Sequence, residues 1–110
     1  MTAFDDRQKA SEKKFVLEAQ QEFKAESRRN KKLALWASGL MNKPEEDAKA
    51  YITEVIMADM EEAGDDDVFR KVKADFDAAG VDMSETALRD QMNALMKEAR
   101  EEIASEAGLV

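Results

Sequence analysis

The sequence predicts an all-α fold: a four-helix bundle with a protruding, partly disordered N-terminal helical arm. Three observations lead there. The composition is rich in Ala, Glu, Lys and Leu and poor in β-branched residues, which favours helix over strand. The one Pro and the four Gly fall where helices need to end. Between them, apolar residues return at three- and four-residue spacing in four successive stretches.

The first stretch, Phe4 to Met41, has no Pro and no Gly before Gly39. Phe4, Phe15, Ala19, Leu33, Trp36, Ala37 and Leu40 share one arc when each residue advances about 100°, with Phe23 at its edge. A helix over the whole stretch is about 55 Å long. A globule of this size has a radius of gyration of about 13 Å, so part of the helix must project or remain unfolded. The projecting part is Phe4 to Gln21, where apolar residues are sparse and charges are mixed. Asp5 and Asp6 suit the helix N-terminus, and both are spaced to pair with Lys9. From Glu22 onward the apolar residues become dense: Leu33, Leu35, Trp36, Ala37, Leu40 and Met41. The sequence therefore divides into an arm, 1–21, expected to fray in isolation, and a bundle, 22–110. Pro44 disfavours helix at Lys43, which puts the first turn near 42–43.

Pro44 fits the first position of a second helix, with Glu45, Glu46 and Asp47 complementing its dipole. Its stripe is Ala48, Tyr51, Ile52, Val55, Ile56 and Ala63, bordered by Met60, and Gly64 is the expected stop. Asp65 is the expected cap of a third helix whose stripe is Val68, Phe69, Val72, Phe76 and Ala79, ending at Gly80. Ser84 or Asp82 caps a fourth, running to about Glu106 before Gly108. Its stripe is Leu88, Met92, Leu95, Met96, Ala99 and Ile103. Connections of about two to four residues favour antiparallel or steeply angled neighbours. Trp36, Tyr51 and most of Met41, Met57, Met60, Met83, Met92 and Met96 are expected in the core, with the indole and phenol polar atoms near the surface.

The composition excludes much chemistry. There is no Cys and no His, so thiol nucleophiles, imidazole bases, disulfides and most transition-metal sites are ruled out. No run of about 18 apolar residues spans a membrane, and the N-terminus lacks a secretory apolar core. The expectation is a cytoplasmic protein. Asp65, Asp66 and Asp67 invite a Ca²⁺ loop, but the sixth and twelfth positions hold Arg70 and Phe76 where Gly and Glu are needed. Gly-rich phosphate loops are absent, and Ser11, Ser27, Ser38, Ser84 and Ser105 have no His partner. No catalytic residue, metal or cofactor is expected. A small-molecule or nucleotide-binding bundle has little to support it.

At a formal net charge of −8, nucleic acid is repelled unless basic residues cluster. One cluster exists, Arg28, Arg29, Lys31 and Lys32 with Lys24 before it, flanked by Phe23 and Trp36. It reads as a solvated helix face or a protein-binding patch. Nucleic acid comes last because no groove-reading motif accompanies it. The residues alone thus point to an acidic, non-enzymatic interaction protein, whose projecting helix suits a helix-in-groove contact through Phe4 and Phe15.

The motifs FDDR at 4–7, Lys14-Phe15, Phe23-Lys24-Ala25, Arg28-Arg29-Asn30-Lys31 and Leu33 through Trp36-Ala37 resemble the zeta subunit of bacterial F1FO-ATP synthase, the ATPase inhibitor subunit of alphaproteobacteria. The resemblance continues through Gly39-Leu40, Tyr51–Val55, Asp66-Asp67-Val68 and Gly80. It implies a bundle whose N-terminal segment inserts at a catalytic α/β interface of F1, reaches toward the γ rotor and becomes helical on binding. Such a segment blocks hydrolysis while permitting synthesis. Carried over residue by residue, the resemblance assigns inhibition to Phe4, Asp5, Asp6, Arg7, Lys9, Lys14 and Phe15. Phe23, Arg28, Arg29 and Asn30 match the joint between arm and bundle and are implied F1 contacts. Ser11, Lys13, Val16 and Ser27 depart from the family pattern. The implied partner is the F1 sector, with no membrane insertion, no cofactor, a peripheral location at the inner membrane when bound, and a monomer when free. The alternative is an adaptor bundle that binds a protein through the Arg28–Lys32 face.

Overall fold

The computed structural model describes residues 3–61 and 64–108, and for residues 3–17 the backbone alone. Four helices follow in order: α1 (Ala3–Leu40), α2 (Glu45–Asp59), α3 (Asp66–Ala79) and α4 (Glu85–Glu106). No strand occurs among the described residues.

The helix ends follow from local chemistry. Asn42 closes α1 in the left-handed region at φ 57. The Lys43 N–H donates to the Ser38 carbonyl and the Asn42 N–H to that of Gly39, the paired bonds of a Schellman ending. Gly39 itself lies inside the helix, so Asn42 ends α1. Pro44, expected at the first helical position, caps α2 from just outside in an extended conformation (φ −62, ψ 162). Gly80 closes α3 at φ 75. There the Val81 N–H donates to Phe76 and the Gly80 N–H to Asp77, while Val81 packs on the core beside Phe76. Ser84, not Asp82, caps α4, accepting from the Ala87 N–H at 3.0 Å. Two expected signals fail. α2 stops at Asp59, before Gly64. Asp65 occupies the cap position of α3 without a side-chain capping bond.

The core lies at the C-terminal end of α1. Leu33, Ala34 and Ala37 meet Tyr51 and Val55 of α2, Val68, Phe69, Val72 and Phe76 of α3, and Leu88 and Met92 of α4. Trp36 is half-buried and meets Phe76 edge-to-face at 5.6 Å and 79°, a favoured aromatic geometry. Tyr51 is buried with its hydroxyl donating to Asp75 at 2.7 Å. Lys43 and Lys71 stand over its ring at 5.3 and 5.4 Å. A second, smaller cluster, Ala25, Met96, Ala99 and Ile103, belongs to α1 and α4 only. The α1–α4 pair therefore continues past the end of the four-helix core. The radius of gyration is 17.5 Å and the longest dimension 65 Å, well above a globule of this length because α1 outruns everything packed on it.

Several stripe positions differ from expectation. Ala19, Phe23, Leu40, Ile56, Met57, Met60 and Ala79 are exposed, while Ala25, Arg29, Asn30, Ala34, Ser38 and Ala58 are buried. Met41 and Met83 are half-buried, leaving Met92 and Met96 as the buried methionines. Ala63 lies outside the described residues. Replacing Phe76, fully buried, with Ala is expected to cost about 3–5 kcal/mol. Met60→Ala, at an exposed site, should stay within about 0.5 kcal/mol. Urea denaturation of both variants measures the contrast.

Candidate partner-binding surface

The root of the arm is fixed on two sides. On the first, α4 carries Glu98, Glu102 and Glu106 at four-residue spacing, so all three lie on one face. Opposite them on α1 stand Arg28 and Lys32, also four apart. Arg28 Nη1 pairs with Glu102 at 3.2 Å and Glu106 at 2.6 Å. Lys32 Nζ pairs with Glu98 at 2.7 Å and Glu102 at 2.8 Å. Arg100 of α4 reaches back to Glu22, with Nε 3.1 Å from its carboxylate. The pairs lie at the surface, half-buried to exposed, and each adds little stability. Together they hold one antiparallel register around Ala25, Ala99 and Ile103.

The bonds shift the titrations in a consistent sense. The hydrogen bond from Lys32 holds the Glu102 carboxyl below its usual range, and that from Arg28 does the same for Glu106. Bonds to Glu106, Glu102 and Glu22 raise Arg28, Lys32 and Arg100 in turn. Glu26 moves upward, first through burial and then through the charges of Asp59 and Glu22.

On the second side, Arg29 and Asn30 tie α1 to the α2–α3 connection. The Arg29 side chain is fully buried. Its Nε donates to Asn30 Oδ1 at 2.8 Å and its Nη2 to Asp65 Oδ1 at 3.0 Å, with Asp59 at 3.8 Å. Asn30 Nδ2 donates to Asp59 Oδ2 at 2.9 Å. Asp65 thus serves as a partner for Arg29, which explains why it makes no side-chain cap for α3.

The residues expected to bind a partner are therefore placed very differently. Phe4, Asp5, Asp6, Arg7, Lys9, Lys14 and Phe15 lie on the helical backbone of α1, and their side chains fall outside the described residues. Phe23 is exposed at 70%. Arg28 is ion-paired to α4, while Arg29 and Asn30 are buried. Of the Arg28–Lys32 face, Lys31 alone is exposed without an ion pair among the described residues. The partners of this root, Asp59, Asp65, Glu98, Glu102 and Glu106, were not singled out from sequence as its partners. The four-residue repeat of Glu98, Glu102 and Glu106 was the available signal. No group of three carboxylates among the described residues could hold a metal ion. No helix among them is long and apolar enough to cross a membrane.

Fold and surface define a small all-α protein in which one helix outruns its bundle, with the root of the excess length locked by ion pairs and a buried arginine. The family model for the ATPase inhibitor subunit zeta matches residues 1–102, and the chain belongs to that family. Membership supports an ATPase inhibitor role, a regulatory rather than a catalytic one, and association with the ATP synthase. A chain solved by solution NMR is 41% identical, with a TM-score of 0.66 over 77% of this chain and 96% of that one. No curated protein matches.

Two outcomes test the root. Arg29→Ala leaves Asp59 and Asp65 without their cation and should cost about 3 kcal/mol, whereas Arg28→Ala should barely move the urea midpoint. The depressed carboxyls of Glu102 and Glu106 contribute stability above their unfolded value of 4.5, and that contribution is lost as pH falls through their folded values. Glu26 acts in the opposite sense, since its raised carboxyl is relieved by protonation. Hydrogen exchange at the Ala25 amide, normalised for intrinsic rate, should therefore accelerate below about pH 4.5 more than exchange at Val72.

Proposed function

We propose that the chain inhibits ATP hydrolysis by F1FO-ATP synthase, and that it does so by inserting the part of its arm (residues 1–21) that precedes the junction with α4 at a catalytic α/β interface of F1 beside the γ rotor. The observation that supports this is the reach of α1. Glu18 is the first described side chain that lines the junction with α4. The helix begins at Ala3, so the positions from Ala3 to Leu17 add about 22 Å of helix. A single helix is about 10–12 Å across with its side chains, whereas the two short dimensions of the molecule are 25 and 23 Å. A cleft that admits the arm excludes the bundle, which then acts as a collar limiting the depth of insertion.

Within the arm, Phe4 and Phe15 supply the apolar anchors, and Asp5, Asp6, Arg7, Lys9 and Lys14 set register and steer the encounter. The arm carries too little apolar surface to hold its own helix, so ordering it at the interface costs free energy and affinity rests on those few anchors. A helix wedged between α and β subunits resists closure of that interface in the hydrolysis direction. The complex sits on the cytoplasmic side, peripheral to the membrane, and the free protein is a monomer. Against the adaptor reading through Arg28–Lys32, Arg28, Arg29 and Lys32 are engaged within the chain.

Deleting residues 1–17 should abolish inhibition of ATP hydrolysis by purified cognate F1 and leave the thermal midpoint of the bundle unchanged. A truncated chain that inhibits like the full one overturns the mechanism.

A further inference from the structure

α1 has one face that changes surroundings along its length. Asn30, Ala34 and Ala37 lie on this face and are buried against the α2 side, with Asn30 bonded to Asp59, the last residue of α2. Phe23 is seven residues earlier. Seven steps of about 100° fall about 20° short of two turns, so Phe23 continues the same face, about 10.5 Å further along the axis. Ala19 continues it again. No part of α2 extends that far. Phe23 is 70% exposed and Ala19 is exposed, while Met60 and Met57 at the end of α2 are exposed at 79% and 62%. The exposed face lies beyond the C-terminus of α2, on the side of α1 that α2 covers further along.

Acidic groups surround this face: Glu22, Glu26, Asp59, Glu61 and Asp65. The cations paired with them are Arg29, which is fully buried between Asp59 and Asp65, and Arg100, which is committed to Glu22, while Lys24 and Lys31 of α1 are exposed nearby in sequence. The upward shift of the Glu26 carboxyl, helped by Asp59, Glu22 and Asp65, registers the same excess of negative charge. A second copy would bring another acidic rim and another net charge of −8.

We propose that this face of α1, together with the end of α2, is a docking groove for a basic amphipathic helix of the ATPase, a second attachment point separate from the arm. The proposal rests on the functional reading above for the identity of the partner. Apolar side chains of the incoming helix cover Phe23 and Met60, and its lysines or arginines meet Glu26, Asp59 and Glu61. Packed end to end with α2, that helix also fixes the rotation of the bundle about α1.

The experiment uses the full chain and the double variant F23S/M60S, both substitutions being at exposed positions. The first probe is a synthetic leucine–lysine amphipathic helical peptide titrated into the isotope-labelled protein. Amide shifts should cluster at residues 19–26 and 57–61, and the double variant should weaken binding by about tenfold. A peptide with glutamate in place of lysine should leave the spectrum unchanged. The second probe is the cognate F1, where the same variant should lower affinity with an unchanged thermal midpoint. Shifts centred elsewhere, or equal affinities for variant and parent, overturn the groove. So does a concentration-dependent dimer that the variant abolishes, which assigns the face to a second copy. If the parent protein neither binds nor inhibits F1, the functional reading falls, and the peptide titration decides the groove alone.

Discussion

The guanidinium of Arg29 lies out of reach of solvent between two aspartates that bracket the connection from α2 to α3. Removing a cation from water is costly, and the cost is offset only where partners are close and well placed. Asp65 at 3.0 Å is such a partner, and Asn30 links the same arginine to Asp59. α2 and α3 are only 15 and 14 residues long, and neither has a side-chain cap at the ends that meet here. Their shared connection is held instead by residues from the middle of α1. A hydrophobic contact at this point could slide by a turn with little loss. A bidentate-capable guanidinium facing two fixed carboxylates cannot, so the register of the α2–α3 hairpin on α1 is set there. The rest of the architecture depends on that register, because it decides how much of α1 is left uncovered.

Uncovered length is possible because two kinds of force are kept apart along α1. From Leu33 to Ala37 the helix is held by apolar burial among all four helices. From Glu22 to Lys32 its apolar contact is with α4, through Ala25, Ala99 and Ile103, and its polar contacts are the ion pairs to α4 and the bonds of Arg29 and Asn30 to Asp65 and Asp59. Small side chains at 25 and 99 allow the two backbones to approach, and the charges on either side prevent sliding. Glu18 is the first described side chain at this junction.

How much of this was legible in the sequence depends on what each side chain contributes to periodicity. The stripes of α3 and α4 were readable because Val68, Phe69, Val72, Phe76, Leu88, Met92, Met96 and Ile103 are large, apolar and in phase. Arg29, Asn30 and Ser38 are in phase with the buried side too, but a pattern of apolar residues is blind to them, and the basic run around Arg29 looked like a solvated face. Ala25 and Ala34 are small enough to pass as neutral. Asp65 was assigned to capping by its position, since a partner 36 residues away leaves no local trace. Ile56, Met57 and Met60 matched a core stripe in spacing. They fail as core because no described residue covers that side of α2. The arm itself was recognisable from a mismatch of lengths, about 55 Å of helical pattern on a chain whose globule has a radius of gyration of about 13 Å.

A continuous helix also constrains how the two halves of α1 address a common partner. Positions 4 and 15 differ by eleven steps, about 20° more than three turns, so they share a face. Position 23 lies eight steps beyond position 15, about 80° further round. When the arm is helical, so that α1 runs unbroken from Ala3 to Leu40, helix geometry fixes this angle. It can change only by bending or melting the helix. A body that grips the arm by its aromatic face therefore meets the bundle about a quarter-turn away, on the side where Phe23 and the end of α2 are bare. The phase of one helix thus links the depth at which the arm is held to the surface that the bundle presents, with the ion pairs at Arg28, Lys32 and Glu22 resisting the twist between them.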